Sequence, residues 1–416
     1  MKKAGILLLV ALFLLNACAP SGQSDPAPCA EISSFAEVDY SNWDTVVEAA
    51  RGTTVIHVGY GGDDALNAWI TGPFSQTLKE KYDITLEYVQ SLDVSTQLAT
   101  EKQANVARGT YDTCWINGNI FRTMKENGLL FGPYNQFLPN FARNIDGEAH
   151  DTNYDFTFPI EGYETPFSTA QIILINDAAV TPETPANHQE LLKFVKKYPG
   201  KVTYPSSEHF TGAAFIRTLI YAICGYEQFI GMAEDYDTVH AAVEPAMEYL
   251  RKLNPYLWNE GKTFPAELAE VDNMFISGEL VLMISYGSYD VGAKISKGIY
   301  TDTTRAFLLD NGTVGNTSYY AIPFNAPNKA GAMVAINEML SVEMQVAKLD
   351  VGEEPFVTDL KKISAEERAL FEAVDLGPNN VPNAEMAAKK LPEYSAAIEK
   401  IVTEIWLAEV VGKTAQ

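Results

Sequence analysis

Stretches that predict β-strands alternate with stretches that predict helices along most of this chain, and this order constrains the fold more than any other feature. The β-branched run 53–58 ends in a glycine-rich turn at 59–62, and a helical segment begins at Asp64. The pattern then repeats as strands and helices at 84–89, 95–108, 111–116 and 120–127. Such alternation is typical of an α/β fold, in which helices flank a mostly parallel sheet.

A second α/β region follows the first. Its predicted strands and helices lie at 170–175, 184–198, 201–204, 211–224, 239–253, 265–277, 280–285 and 306–309. A late strand at 319–323 and an apolar helix at 330–340 return the chain to the first region, and the tail is mostly helical. A chain that passes twice between two lobes forms a hinge beside a cleft, and clefts between domains are favoured ligand sites.

The length and charge of the chain limit what it can bind. Its 416 residues are enough for two domains, and its formal net charge is −24. A negative field of this size disfavours nucleic acid and anionic lipid surfaces as partners. The sequence therefore predicts no nucleic-acid partner, although overall charge does not by itself reveal the charge of a small ligand.

Sequence motifs of known catalytic chemistry are absent. There is no Gly-x-x-x-x-Gly-Lys loop, no His-Glu-x-x-His and no Gly-x-Ser-x-Gly, and the turn 59–64 fails the dinucleotide pattern because Asp64 replaces its last glycine. The histidines are scattered and no Cys-x-x-Cys occurs, while Cys114 and Cys224 are predicted to be small core residues. We therefore expect no cofactor, no metal and no enzymatic activity.

The N-terminus has the pattern of an export signal. Two lysines precede an apolar run, 6–15, that is too short to cross a bilayer core of about 30 Å as a stable helix. The Leu-x-Ala-Cys that ends at Cys18 resembles the lipobox of bacterial lipoproteins, although an uncleaved anchor or an ordinary secretory signal would share part of this pattern. The resemblance implies a signal peptide at 1–17 and a lipid on Cys18, with the protein anchored to a bacterial membrane outside the cytoplasm. The residues that follow contain Ser, Gly, Pro, Asp and Gln and few large apolar side chains, which predicts a flexible stalk at 18–39.

Several sequence blocks share their order and spacing with one known family. They lie at 114–121, 128–134, 138–140, 159–167, 204–205, 210–215, 312–317 and 321–326. Over about 53–341 the chain resembles the YnjB family of extracellular solute-binding proteins of ABC transporters. The resemblance implies a periplasmic-binding-protein fold of the second topological type and delivery of a small solute to a membrane permease powered by a cytoplasmic ATPase.

The lobes implied by this resemblance are discontinuous in sequence. Lobe 1 is expected to comprise 40–165 and 313–345, and lobe 2 to comprise 166–312 and 346–416, including the helical tail. The lobes are expected to close as rigid bodies, because a ligand that contacts both favours the closed state. The receptor is expected to be a monomer.

The first predicted ligand contacts follow two strands of lobe 1. Tyr60 and Gly61 lie beyond the carboxyl end of the first strand, where ligands of open α/β sheets gather, and Asp64 begins the next helix. Trp115 and Asn117 lie at a corresponding strand end, where tryptophan offers an apolar wall and asparagine both a donor and an acceptor. The same residues would also suit a tight turn without a ligand and a packed tryptophan beside a turn-forming asparagine.

Further contacts are predicted at the two crossovers between the lobes. Glu161 and Tyr163 lie between two prolines and are expected to face the cleft or to set the geometry of the hinge. The alternative interpretation is that they lie in a solvated loop. Asn316 is expected in the returning crossover.

Lobe 2 is predicted to supply three contacts. Phe210 and Thr211 begin an apolar helix, where Thr211 serves either as a helix cap or as a hydroxyl for the ligand. Tyr286 follows an apolar strand and is expected to close one end of the cleft.

The predicted contacts favour a small cationic or neutral organic solute, such as a thiamine-like heterocycle or a polyamine, because aromatic and acidic side chains bind organic cations. Tyr319 and Tyr320 resemble the tyrosine pair of ferric-ion-binding relatives, but successive strand residues face opposite sides, which favours an organic ligand over iron. A secreted hydrolase with a carboxylate pair and a cell-surface scaffold without a small ligand are two competing hypotheses.

Overall fold

The computed structural model describes residues 38–414, apart from 62, 92 and 353. The predicted signal peptide at 1–17, the lipidation site Cys18 and most of the predicted stalk lie outside the described residues. Within those ranges, none of the helices combines the length and the apolar character that a bilayer crossing requires.

The described chain is a succession of strands and helices. In chain order the strands are β1 (Thr54–Gly59), β2 (Thr85–Gln90), β3 (Thr113–Ile116), β4 (Leu130–Phe131), β5 (Tyr154–Asp155), β6 (Phe158–Pro159), β7 (Glu164–Gln171), β8 (Ile173–Asp177), β9 (Leu282–Ser285), β10 (Thr304–Phe307), β11 (Thr313–Pro323) and β12 (Lys390–Leu391). The α-helices are α1 (Trp43–Ala50), α2 (Asp64–Trp69), α3 (Ser75–Tyr82), α4 (Val94–Gln103), α5 (Gly118–Glu126), α6 (Pro139–Asn144), α7 (His150–Asn153), α8 (His188–Lys197), α9 (Phe210–Cys224), α10 (Tyr236–Leu253), α11 (Leu268–Ile276), α12 (Asp290–Ser296), α13 (Lys329–Met339), α14 (Val342–Gly352), α15 (Ala365–Glu372), α16 (Asn383–Lys389) and α17 (Ala396–Glu409).

The first sheet is built around three parallel strands in the order β2–β1–β3. The C-terminal part of β11 pairs antiparallel with β3, and β7 pairs antiparallel with the other edge of β11. One core, which includes Trp69, Phe74 and Tyr320, lies on one face of this sheet, and a second core with Leu98 and Phe121 lies on the other. Both faces are therefore covered, as parallel strands require.

Two long strands, β7 and β11, carry the chain between the two sheets. β7 is followed by β8 after a single residue, Ile172, and the pairing of β7 with β11 extends from Gln171 opposite Gly315 to Glu164 opposite Ala321. A shift in register between Ser318 and Tyr319 interrupts this pairing. Paired crossing strands of this kind let two packed bodies rotate with changes confined to a few residues.

The second sheet has the order β10–β8–β9, and both of its pairings are antiparallel. The predicted α/β class is confirmed, but a mostly parallel sheet was expected in this lobe as well. The difference arises because β9 and β10 do not pair with each other. These two strands run parallel and are joined through α12. Instead β8, which enters directly from β7, lies between them.

Helices cover this second sheet on both faces. The larger core lies under α8, α9, α10 and α17 and contains Tyr204 and Trp406, and the smaller one contains Phe275 and Met283. The helices of the C-terminal tail pack against different parts of the protein, because α14 contacts α2 whereas α17 contacts α10. The lobe limits expected from the sequence remain a prediction.

Three predicted strands differ from the observed ones. The strand expected at 170–175 belongs to both β7 and β8, and the one expected at 201–204 is reduced to a single bridge between Val202 and Leu282. β11 begins at Thr313, well before the apolar run that predicted it. Its first half carries glycine and small polar residues, so hydrophobic periodicity does not detect it.

Candidate functional site

A cavity of about 710 Å³ lies beside the crossing strands. β12 pairs with residues 313–314 of β11 and β3 with residues 319–321, which leaves the stretch of this edge between them without a partner strand. Lys390 of β12 and Asp151 line the cavity, and Asp151 accepts a hydrogen bond of 2.6 Å from the Thr317 hydroxyl within that gap. The cavity therefore adjoins the place where the chain crosses between the sheets.

Elements from both sheets supply the walls of this cavity. Residues 149–157 belong to α7 and the β5–β6 hairpin, which is fixed to the first sheet because the Asp155 carboxylate accepts a hydrogen bond from the Gly118 N–H at the start of α5. Residues 221–231 come from the end of α9 and the turn after it, on the second sheet. A ligand in the cavity would contact both bodies.

Aromatic side chains form a large part of the lining. The ring centroid of Tyr221 lies 5.5 Å from that of Phe229 and 5.9 Å from that of Tyr394. The ring of Tyr226 lies 6.1 Å from that of Tyr221, and Tyr154 adds a further ring from β5. Aromatic faces carry negative electrostatic potential, so such a lining suits flat or cationic organic groups.

An ion pair between Asp151 and Lys390 forms a charged part of the wall. Burial opposes ionisation of Asp151, but hydrogen bonds from His150, Lys390 and Thr317, together with the charge of Lys390, hold the pKa of this carboxyl well below its usual value. Asp151 is therefore a fixed anion at the edge of the cavity at neutral pH.

A buried charge cluster lies behind the aromatic wall. Arg217 of α9 pairs with both Glu393, which also lines the cavity, and Glu399. Its guanidinium carbon lies 4.5 Å from the ring centroid of Tyr394. Burial opposes the charge on Arg217, yet the nearby Glu399 carboxylate raises its pKa, so the arginine stays charged beside the two glutamates.

A second, smaller cavity of about 290 Å³ adjoins the first. Its lining includes Thr169 and Gln171 of β7, Thr317 of β11 and Ser288 after β9. Hydroxyl and amide groups are thus more prominent in the smaller cavity than in the larger, aromatic one.

A further ion pair joins helix α5 to the segment before α10. Nη1 of Arg122, on α5, lies 3.3 Å from Oε1 of Glu234, which precedes α10. Both side chains are partly exposed, so the pair can separate without leaving a buried charge.

The predicted contacts from lobe 1 lie at the carboxyl ends of β1 and β3 but do not line either cavity. The rings of Tyr60 and Trp115 lie 5.6 Å apart, and Tyr60 is exposed. Gly61 has a φ of +78° and its carbonyl accepts a hydrogen bond from a side chain of α2, so it forms a turn. Asp64 is the first residue of α2, and Asn117 immediately precedes α5.

The residues predicted at the first crossover lie close together. The Glu161 side chain is largely exposed, with Oε2 2.8 Å from Nζ of Lys125. The ring centroid of Tyr163 lies 5.2 Å from the same ammonium group. Both contacts are made by Lys125 of α5, and neither Glu161 nor Tyr163 lines the larger or the smaller cavity.

The structure brings together most of the remaining predicted residues. The ring centroid of Phe210 lies 5.0 Å from that of Tyr286, whose hydroxyl donates a hydrogen bond of 3.3 Å to Oε1 of Glu393. Asn316 is buried in β11, opposite Ala170 of β7. Thr211 is buried in the first turn of α9. Tyr286 thus contacts one lining residue of the larger cavity, while the predicted ligand contacts remain predictions.

Several residues that line the larger cavity were not predicted from the sequence. Asp151 and Tyr154 lie on a four-residue helix and a two-residue strand, which hydrophobic periodicity cannot detect. Lys390 lies in another two-residue strand within the helical tail. One usable signal was present, because Tyr221, Tyr226 and Phe229 cluster at the end of a helix that the sequence predicts.

Tyr319 and Tyr320 face opposite sides of β11, as strand alternation predicts. Tyr319 belongs to the core that contains Phe121, whereas the ring of Tyr320 stacks on Phe167 at a centroid distance of 4.4 Å in the other core. Because the two rings lie in cores on opposite faces of the strand, their hydroxyl groups do not converge on one metal position.

The chain belongs to a family of bacterial extracellular solute-binding proteins, whose family model matches residues 74–362. Proteins of this class are the solute-binding components of ABC transporters and deliver their ligand to a permease and its ATPase. They are receptors and not enzymes. The chain is 34% identical over 342 residues to Protein YnjB of Escherichia coli (strain K12), which corresponds to 80% of this chain and 87% of that protein.

Solved structures confirm the periplasmic-binding-protein fold. The spermidine/putrescine ABC transporter substrate-binding protein PotD of Streptococcus pneumoniae is 14% identical, with a TM-score of 0.60 over 86% of this chain and 99% of that chain. A periplasmic thiamin binding protein is 15% identical, with a TM-score of 0.54 over 86% of this chain and 96% of that chain. At these identities the likeness concerns the fold alone.

Proposed function

We propose that this protein captures a small cationic organic solute in the larger cavity. The observation that carries the proposal is a cavity of about 710 Å³ between elements of both sheets, lined by aromatic rings and by the ionised carboxylate of Asp151. Aromatic faces attract organic cations, and Asp151 supplies a negative charge beside them. The names of two proteins of similar fold, for spermidine/putrescine and for thiamin, agree with a solute of this class.

Closure of the lobes about β7 and β11 is the second part of the proposal. A solute between residues 149–157 and 221–231 touches both bodies and therefore favours the state in which they are close. The pair of Arg122 with Glu234 would add a weak contact in that state.

Membrane attachment is the third part of the proposal. Because Cys18 ends a Leu-x-Ala-Cys sequence, we propose that it carries a lipid that holds the protein, as a monomer, near its permease. Labelling of cells with radioactive palmitate should mark the wild-type protein but not the Cys18→Ser variant. Equal labelling of both would contradict lipid attachment at this residue.

Truncation of Tyr154 is expected to weaken solute binding. Spermidine, putrescine and thiamine are the probes, and a bound probe at about 100 times its Kd should stabilise the fold by about 2.7 kcal/mol. Loss of one ring from the cavity removes about 0.5–1.5 kcal/mol of stacking or cation–π attraction, so Tyr154→Ala should raise the Kd about 2- to 13-fold. Isothermal titration calorimetry measures this change.

Tyr236→Ala is the matched control for this experiment. Tyr236 is 46% exposed and Tyr154 is 43% exposed, but Tyr236 begins α10 and does not line either cavity. The control should bind the probe as the wild type does. Equal Kd values for Tyr154→Ala and the wild type would exclude this cavity as the site, and no thermal shift with any cation would contradict the proposed ligand class.

A further inference from the structure

The two cavities meet at a single ion pair. Ala149, Asp151 and Lys390 line both the larger aromatic cavity and the smaller one beside β7. Among the lining residues that the structure describes, Lys390 is the only lysine or arginine. One positive and one negative group therefore stand at the junction of two compartments of different chemistry.

Charge balance at this junction restricts what can bind there. A cation that approaches Asp151 competes with Lys390 and leaves the ammonium group of Lys390 without its partner. The displaced ammonium group would then repel the bound cation across a short distance in a partly buried site. A solute that carries its own anion avoids this cost, because each member of the pair receives a new partner of opposite charge.

The smaller cavity has suitable groups for such an anion. Besides Lys390, its lining includes the hydroxyl-bearing side chains of Thr169 and Ser288 and the amides of Gln171 and Asn383. Its one carboxylate other than Asp151 is that of Asp146, which is exposed to water and therefore screened. Hydroxyl and amide groups can donate hydrogen bonds to a carboxylate, and a lysine adds a charge-assisted bond.

We propose that the solute is a zwitterion, with its cationic part in the aromatic cavity beside Asp151 and a carboxylate bound by Lys390 at the smaller cavity. This inference rests on the proposed function and specifies the class of solute. It assigns to Lys390 a direct role in recognition, in place of a role only as the structural partner of Asp151.

Matched pairs of probes that differ by one carboxylate test the proposal. Ornithine is putrescine with an added carboxylate, and glycine betaine is choline with a carboxylate in place of its hydroxymethyl group. The carboxylate-bearing member of at least one pair should bind the wild-type protein about 10- to 100-fold more tightly in calorimetric titration, the contribution of one charge-assisted hydrogen bond. Tighter or equal binding of the simple cations overturns the proposal but leaves the proposed function intact, whereas no binding by either class contradicts both.

Replacement of Lys390 separates recognition from a structural role. The Lys390→Met variant should lose the preference for the carboxylate-bearing probes, and it should bind the simple cations at least as well as the wild type because Asp151 has lost its competitor. Lys389→Met is the control, since the Lys389 side chain is similarly exposed (26% against 24%), pairs with Glu385 and lines neither of these two cavities. An equal loss of both probe classes in Lys390→Met would overturn the proposal, and the wild-type comparison is decisive even if this variant does not fold.

Discussion

Replacement of Arg217 with methionine is expected to lower the free energy of unfolding by about 3–5 kcal/mol. Arg217 is buried within α9 and is paired with Glu393 and Glu399. Methionine keeps much of the side-chain volume but removes the positive charge, so the buried carboxylate of Glu393 and the partly buried one of Glu399 lose their counterion. Urea denaturation with an unchanged m value would report this loss as a change in stability alone.

Arg143→Met provides the control for the arginine replacement. Arg143 also pairs with a glutamate, Glu367, but its side chain is 53% exposed. Water screens such a pair and hydrates the remaining carboxylate, so the control should unfold close to the wild-type midpoint. A similarly small effect of Arg217→Met would show that Glu393 and Glu399 do not depend on the arginine charge.

The second large effect on stability is expected from replacement of Glu164, the first residue of β7. Its side chain is buried, and neither carboxyl oxygen has a hydrogen-bond partner among the described residues. Burial, followed by the nearby negative charge of Asp155, raises the pKa of Glu164 well above its usual value of 4.5. The folded protein therefore retains a proton that the unfolded chain releases above about pH 4.5.

This difference in proton binding sets the direction of the pH dependence. The stability contributed by protonated Glu164 is fully present below pH 4.5 and is lost as the pH rises towards the raised pKa. Glutamine is neutral at every pH, so Glu164→Gln should match the wild type at pH 4 and be more stable by about 1–3 kcal/mol at pH 8. Thermal unfolding at both pH values measures the difference.

Glu161→Gln is the matched control, because it removes a carboxylate from the same segment. Glu161 is largely exposed, and the hydrogen bond that it accepts from Lys125 lowers its pKa, so removal of this carboxylate should not stabilise the protein at pH 8. A decrease in stability of Glu164→Gln at pH 8 would contradict the expectation, since it would mean that the carboxylate form of Glu164 has a favourable partner.

Local sequence patterns predicted much of the fold. The β-branched run at 53–58 became β1, and the apolar helix at 211–224 became α9 with a change of one residue at its start. Strand alternation also predicted that Tyr319 and Tyr320 face opposite cores. These features depend on side-chain periodicity within one element, which the order of residues contains directly.

The cavity could be predicted only in part. The sequence predicted a ligand site near the segments that cross between the lobes. One of the predicted contacts, Tyr286, lies against Glu393, which lines the larger cavity. It did not select Asp151 or Lys390, because each lies in an element of two to four residues with no periodic signal. Residues far apart in sequence become neighbours there through the pairing of β12 with β11.

The amino-acid sequence by itself determined the α/β class and the family, because both depend on local patterns and on the order of short blocks. The tertiary structure alone decided which side chains share a cavity and which charges are neutralised. Glu393 and Glu161 are the same residue type, yet one is buried beside Arg217 and the other is exposed beside Lys125. The distinction arises from packing between distant segments, which sets the dielectric surroundings and the charge partners of each carboxylate.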